Sequence, residues 1–251
     1  MVSALSASIV ALAAPTLGLA APAAGPSGGA GMQSAANTST APAPPTQSGN
    51  RTVSASGSGI TIVSHASGFL RNHVRFTGSV AASAAGQTVE IERLGHETDW
   101  AWAPTAHSTV ASDGSFSVNW RANHIGRFSF RAILQSASGL RAAGASPTVT
   151  VTVYRVATAT QYGPGFYGKR TACGVKLTRS TIGLANRTLR CGEHVSVYYQ
   201  GRTLSIPVID RGPYANGADF DLTMATGRAL GIGGTAHIGA VSLPHQPATA
   251  G

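Results

Sequence analysis

Short runs in which apolar and polar residues alternate, punctuated by Gly, Asn, Asp and Pro, fill this chain from Gly59 onward and confine most of it to β-structure. A period of two sends every second side chain to one face of a pleated strand, whereas an amphipathic helix needs apolar residues three and four apart. The runs Ile60–Val63, Val74–Thr77, Val89–Leu94, Phe116–Trp120, Phe128–Leu134 and Val149–Tyr154 read as strands, with a further strand between Trp100 and Val110. Asp113-Gly114 marks a hairpin turn before Phe116. About seven short strands with turns between them predict an immunoglobulin-like β-sandwich over residues 59–155. No cysteine falls in that span, so burial alone must hold it. At least one of the three tryptophans is expected in the core, and Trp120 is in phase with Phe116 and Val118. Trp100, Trp102 and Trp120 together read mainly as core or structural, the alternative being a sugar-stacking face. The sandwich itself reads as a spacer or adhesion module.

What precedes it has a different composition. Residues 1–24 form an apolar, alanine-rich run with small residues at 18–24, which resembles a secretory signal. Its basic leader is missing, since the first cation is Arg51. Pro15 and Pro22 interrupt the run and no cationic stop follows, so stable membrane insertion is not expected. Residues 25–58 are dominated by Pro, Gly, Ser, Thr and Ala and lack the large apolar side chains needed to offset chain entropy; a flexible tether is expected. The formal charge of +9 comes almost entirely from arginine, Lys169 and Lys176 being the only lysines. The arginines are scattered, with no basic run and no helix-turn-helix or RNP-type motif, which argues against nucleic acid as a partner. Affinity for an anionic cell wall accounts for the charge instead.

A second β region spans residues 156–244, followed by a tail at 245–251. Val195, Val197 and Tyr199 alternate, Gln200-Gly201-Arg202 turns the chain, and Leu204, Ile206 and Val208 return it. Pro207 within that run implies an edge or a bulge. The run ends in Asp210-Arg211-Gly212-Pro213-Tyr214, and eleven residues beyond Asp210 stands Asp221. A strand end before a Gly-Pro turn presents its side chain to a groove, and two carboxylates aimed at one groove suit acid/base chemistry on sugars. The blander alternative has Asp210 capping the turn and Asp221 capping the next helix. That helix runs from Thr223 to Gly231, capped by Thr223 or Asp221 and stopped by glycine. The glycines from 231 to 239 lack a Gly-Lys-Ser/Thr ending and are no phosphate loop. Cys173 and Cys191 are the only cysteines. In an exported chain two cysteines suggest one disulfide, which would stabilise by about 3 kcal/mol in the chain-entropy picture. A metal pair or a catalytic thiol are the alternatives. A metal site would need further ligands at short spacing, and the eight histidines are dispersed, so no metal is expected.

The ordered set Tyr162-Gly163-Pro164-Gly165-Phe166-Tyr167-Gly168-Lys169-Arg170-Thr171-Ala172-Cys173-Gly174, Leu184 to Gly192, Asp210 to Tyr214, Asp221-Leu222-Thr223 and Arg228-Ala229-Leu230-Gly231 resembles the RlpA-like double-psi β-barrel family of bacterial cell-wall proteins, which is related to the expansins. The resemblance covers about the last 90 residues. It implies an all-β protein whose second domain is a six-stranded barrel with one or two short helices and an open glycan groove. It implies a secreted, monomeric cell-wall protein that cleaves peptidoglycan glycan strands as an endolytic transglycosylase, a carbon-oxygen lyase, without a cofactor. Asp210 matches the family's aspartate in this turn and Asp221 the aspartate shared with expansins; both are the expected catalytic residues. Tyr162, Asn186, Arg211 and Tyr214 are the expected substrate-binding residues. Two positions depart from the family: Asn186 where many members carry histidine, and Val175 where they often carry glutamate. Asparagine hydrogen-bonds but cannot shuttle a proton. The rival expectation is therefore a non-catalytic, expansin-like binder that loosens the wall. A weaker third is hydrolysis by an inverting carboxylate pair about 6.5–9.5 Å apart.

Overall fold

The computed structural model describes residues 51–135, 141–214 and 217–243, with backbone alone at 141–143. The signal-like segment, the tether up to residue 50 and the tail lie outside the described residues. Strand β1 (Thr52–Gly57) begins inside the span expected to be a tether, six residues before Ser58. Its polar-looking sequence still alternates, and Val53 and Ala55 pack against the sandwich core.

The sandwich continues through β2 (Ile60–His65), β3 (Ser67–Phe69), β4 (His73–Ser79), β5 (Thr88–Leu94), β6 (Ala103–Thr109), β7 (Ser115–Arg121), β8 (Gly126–Gln135), β9 (Arg141–Ala145) and β10 (Val149–Tyr162). One sheet has the order β1-β2-β4-β7. The other runs β10-β8-β5-β6, with β3 beside β10 and β9 beside β8. The alternation read from the sequence is seen directly in β7, where Phe116, Val118 and Trp120 are buried and the residues between them exposed. Those side chains meet Ile62, Phe76, Ile91, Phe128, Phe130 and Val151 in a single core. Trp120 is indeed interior, 5.1 Å from the Phe130 ring. Trp102 instead carries the Arg131 guanidinium 4.1 Å from its ring centre, and Trp100 is exposed. At Asp113-Gly114 the carboxylate accepts the Ser115 amide at 2.9 Å and Gly114 takes φ 82°, a tight turn as expected. The strands on either side, β6 and β7, lie in different sheets, so the turn is an arch between layers and not a hairpin.

The second region is built from the end of β10 together with β11 (Leu184–Ala185), β12 (His194–Tyr199), β13 (Arg202–Asp210), β14 (Phe220–Thr223) and β15 (Ala236–Ser242). Their order is β14-β11-β13-β12-β15-β10, and β14 pairs back onto β10, closing a six-stranded barrel. Its interior is mostly aliphatic: Leu184, Val195, Val197, Ile206, Val208, Leu222 and Ile238, with Phe220. Pro207 pairs with His194 on the β12 side, and β11 joins β13 only from Val208 onward, with a register shift. The proline thus occupies a locally open edge next to an irregularity, where its missing N–H is tolerated. The helix α1 (Met224–Leu230) is capped by Thr223, whose hydroxyl accepts the Thr226 amide, and Gly231 ends it at φ 78°.

Strand β10 belongs to both regions. Val149–Val153 pair with β8 and Thr152–Tyr154 with β3; Arg155–Ala159 pair with β15 and Ala159–Tyr162 with β14. The partners change between Tyr154 and Arg155, inside one continuous strand, with no connecting loop there. Tyr154 is buried at the seam, its ring 6.1 Å from Phe69 of the sandwich and 5.6 Å from Tyr198 of the barrel. Its hydroxyl lies 3.3 Å from Ser196 Oγ. A Cβ at Gly239 would lie 3.0 Å from both Phe69 and Tyr154, so glycine eases the close approach there.

Candidate active-site cleft

Three adjacent barrel strands aim the carboxylates. Ala185 in β11 stands opposite Asp210 of β13 on one side and Asp221 of β14 on the other. Residues in register across neighbouring strands point to the same face, and alanine between them leaves that face open. Thr160 of β10 is the register partner of Asp221 on its far side. The two aspartates, separated by eleven residues in sequence, thereby share the floor of one cleft of about 350 Å³, lined also by Thr160, Tyr162, Phe166, Arg211, Gly212, Pro213 and Tyr214.

Each carboxylate is held by a neutral donor. Asp210 Oδ1 accepts the amides of Ala172 at 2.9 Å and Arg211 at 2.8 Å, which fixes its orientation at the strand end. Asp221 Oδ1 accepts the Thr160 hydroxyl at 2.9 Å. Burial raises the pKa of Asp221 above the ordinary carboxylate value; the nearby charge of Asp210 adds to the rise and the Thr160 hydrogen bond opposes it. The Tyr162 hydroxyl lies near both acids. Burial first, and then the two carboxylates, push its pKa up, so it stays a phenol. Its oxygen is buried without a hydrogen bond of normal geometry among the described residues, leaving a donor to spare at the cleft floor.

The rim is anchored from several directions. Gly212 adopts φ 123°, open only to glycine, and the Gly212–Pro213 peptide is cis. Arg187 donates to the carbonyls of Pro213 at 2.7 Å and Ala218 at 3.0 Å, tying the loop to the barrel. Tyr214 projects from that loop with 80% of its surface exposed, and Phe166 projects opposite with 55%. Tyr162 meets Phe166 edge to face at 6.2 Å. Cys173 and Cys191 form the expected disulfide, with Cα atoms 5.6 Å apart. It straps the segment that supplies the Ala172 amide to the loop before β12.

Five of the expected site residues, Tyr162, Asp210, Arg211, Tyr214 and Asp221, are thus brought to one cleft. Asn186 is not among its lining residues. Its side chain is buried: Oδ1 accepts the amides of Thr188 and Leu189, and Nδ2 donates to the Asp219 carbonyl. Asn186 is a turn-forming side chain whose Oδ1 and one N–H are already engaged by neighbouring groups. Arg211 lines the cleft, but its guanidinium donates to the Asn186 carbonyl and to Cys191 Sγ. Val175 lies in the strapped segment, where its backbone pairs with Thr171. Thr160, Phe166 and Arg187 belong to the cleft or its support and escaped the sequence reading. Thr160 sits in the alternating run Ala157–Thr160, where nothing marks one threonine as a carboxylate's partner. Among the described residues no group of three or more His, Cys, Asp or Glu could hold a metal ion, and no helix is long and apolar enough to cross a membrane.

Residues 157–242 match the family model described as lytic transglycolase. A Synechocystis protein named probable endolytic peptidoglycan transglycosylase RlpA is 40% identical over 76 residues, which is 30% of this chain and 24% of that protein. An Aquifex aeolicus protein of the same name is 36% identical over 76 residues, 30% of this chain and 34% of that one. The match thus spans only a minor part of the length of these curated relatives. Among solved structures, the Streptomyces papain inhibitor aligns at 25% identity over 34% of this chain and 89% of its own, with a TM-score of 0.28, too low to carry an argument. The RlpA-like resemblance of the barrel segment, and its closed six-stranded fold, are borne out.

Proposed function

We propose that this is a secreted cell-wall protein whose barrel cleft cleaves peptidoglycan glycan strands by lytic transglycosylation. The observation that carries the reading is the placement of Asp210 and Asp221 on either side of Ala185 at the floor of an open cleft, with Asp221 shifted toward its protonated form. The names of the relatives supply the substrate class. The sandwich, which we read as immunoglobulin-like, holds the barrel at the wall.

In the reaction a carboxylic acid gives its proton to the glycosidic oxygen as the C1–O bond breaks. The 6-hydroxyl of the same sugar then closes on C1 and surrenders its proton to a carboxylate, leaving a 1,6-anhydro end and consuming no water. One acid and one base are therefore enough, and one group can serve as both, since it is left a carboxylate once it has given up its proton. Asp221 holds a proton to higher pH because it is buried beside another acid. Asp210, oriented by two backbone amides, is fixed where the glycine at 212 lets a polymer approach the chain closely. Tyr162 can donate its unused hydroxyl to a sugar oxygen or to either carboxylate, and Tyr214 and Phe166 offer aromatic faces for sugar rings.

A second reading is favoured by one specific observation: the Asn186 side chain is bonded to backbone groups and Val175 is apolar, so among the described residues the cleft is lined by no carboxylate besides the two aspartates and by no histidine. On that reading the protein docks glycan in the same groove without cutting it and loosens the wall, as expansins do. Digestion of purified peptidoglycan decides between them. Anhydro-ended products from wild type, lowered about 100-fold or more in Asp210→Asn and in Asp221→Asn with retained folding, support the lytic enzyme. Wild type that yields no anhydro ends while still binding the wall supports the binder. Full activity in Asp210→Asn overturns its catalytic role.

A further inference from the structure

Three aromatic side chains stand well out of the described surface: Tyr214, Phe166 and Trp100, the last with 53% of its surface exposed. Two of them rim the barrel cleft. Trp100 lies on the sandwich, where the cleft chemistry gives it no purpose. An indole left in water forgoes the burial that favours tryptophan inside a fold. Here the backbone also holds it out against preference. Asp99 at φ 49° and Trp100 at φ 57° lie consecutively in the left-handed region, which bulky residues avoid.

The loop that carries this strain is firmly built. The Gly95 carbonyl accepts the amides of Thr98 at 3.2 Å and Trp100 at 3.0 Å, and Ala101 donates to the Thr98 carbonyl at 2.8 Å. The Thr98 hydroxyl both accepts the Gly95 amide and donates to the Gly95 carbonyl. At its base Arg93 and Glu97 pair at 3.3 Å. Gly95 is pressed so closely onto Phe128 that a Cβ there would come within 2.5 Å of the ring. The strain is therefore maintained by the surrounding fold, and it is spent on presenting one flat aromatic face. Two residues along the chain, Trp102 stacks on Arg131, whose guanidinium is fixed by the buried Glu92 at 2.7 Å. A rigid, exposed π-face suits a sugar ring, whose C–H groups lie on the indole.

We propose that the Trp100 loop is a second glycan-binding site, which stacks a sugar ring of the same insoluble wall polymer that the barrel cleft takes; the choice of ligand rests on that reading of the cleft. Because β10 runs unbroken between the two regions and Tyr154 packs across the seam, the sites belong to one body. Occupying either site then raises the effective concentration of polymer at the other, and the wall is held more tightly than through either alone.

Co-sedimentation of the full chain with purified peptidoglycan sacculi tests this, using wild type, Trp100→Ala, Trp100→Phe and, as a cleft control, Tyr214→Ala. Trp100 is exposed, so the substitutions should leave the thermal transition in place. The expected result is a loss of apparent affinity of about tenfold or more in Trp100→Ala, substantial recovery in Trp100→Phe, and protection of tryptophan fluorescence from acrylamide when sacculi are added to wild type. Unchanged retention of Trp100→Ala overturns the proposal, as does wild type that sacculi do not retain. Sedimentation equilibrium showing a dimer that Trp100→Ala abolishes also overturns it, since the occupant would then be a second copy. Anhydro-product formation on short soluble glycans separates this proposal from the reading of the cleft. If wild type yields none but Trp100→Ala still loses retention, the lytic reading fails and the second site stands. If wild type cuts and Trp100→Ala binds like wild type, the reverse holds.

Discussion

The sandwich and the barrel treat buried charge in opposite ways. In the sandwich, Glu92 is wholly buried and ion-paired with Arg131 at 2.7 Å. Arg93, also buried, donates to Asn123 at 2.8 Å and lies over the rings of Trp120 and Phe128. Each of these buried charges is held by a counter-charge, an amide oxygen or an aromatic face. In the barrel cleft, Asp210 and Asp221 have no cation within ion-pair distance among the described residues; their partners are backbone amides and a threonine hydroxyl. Even Arg211, adjacent to Asp210 in sequence, turns its guanidinium elsewhere. A carboxylate paired with a guanidinium is fixed by its counter-charge, whereas one held by a neutral donor keeps its charge uncompensated. The first arrangement suits structure and the second suits chemistry.

Substitutions can break or sharpen that contrast. The largest expected effect is in the sandwich: Glu92→Gln leaves Arg131 without its counter-charge and should cost about 3–5 kcal/mol, read from the denaturant midpoint. A change below about 1 kcal/mol would show that the pair is not a structural lock. Next, replacing Cys173 and Cys191 together by serine should cost about 3 kcal/mol, since the closed loop is short, and should reduce product formation by releasing the Ala172 amide from Asp210. Arg155 and Asp219, paired at 3.0 Å but each about a third exposed, should matter little: Arg155→Ala is expected to cost at most about 1 kcal/mol through that pair, and less in high salt.

The smallest effect carries the opposite sign. The pKa of Asp221 is raised in the folded state, so the folded protein binds more protons than the unfolded chain over a window above the ordinary value of 3.8. Stability must then fall as pH rises through that window and recover as pH drops. Asp221→Asn cannot titrate; it should flatten this dependence and make the protein slightly more stable than wild type at neutral pH. Equal thermal midpoints for the two proteins across the whole pH range would remove the contrast between the regions.

Much of this was written in the alternation. Phe116, Val118 and Trp120 announced the buried face of β7, and Val195 with Val197 that of β12, because a strand with one face in the core leaves a period of two in its sequence. Asp210 was legible for another reason: it stands at a strand end before a Gly-Pro turn, whose chemistry fixes where its side chain can point, whereas Asp221, inside β14, was expected from its motif's resemblance to the family. The additional strands were less legible. β1 is made of Thr, Val, Ser, Ala and Gly, and β3 has three residues, so neither carries a hydrophobic signal long enough to read. That one strand crosses the seam was hidden because β10 alternates on both sides of it, although four consecutive buried residues, Val151–Tyr154, and the exposed Val156 mark where one set of neighbours gives way to the next. Asn186 misled because residue type shows hydrogen-bonding capacity but not how much of it is already used.

Strand β10 also has a consequence for modularity. Parts of proteins are exchanged between chains most easily where the cut falls in a loop, so that each fragment leaves with its hydrogen bonds complete. A recombination joint between Tyr154 and Arg155 would fall inside a ladder. A donor that received residues 155 onward would need to supply its own extended segment, in the right phase, to lead into the first stave; a recipient of the preceding half would have to end its sheet there. The two halves can therefore be transplanted only as a pair, or rejoined only through a strand whose side-chain parity is preserved to the residue.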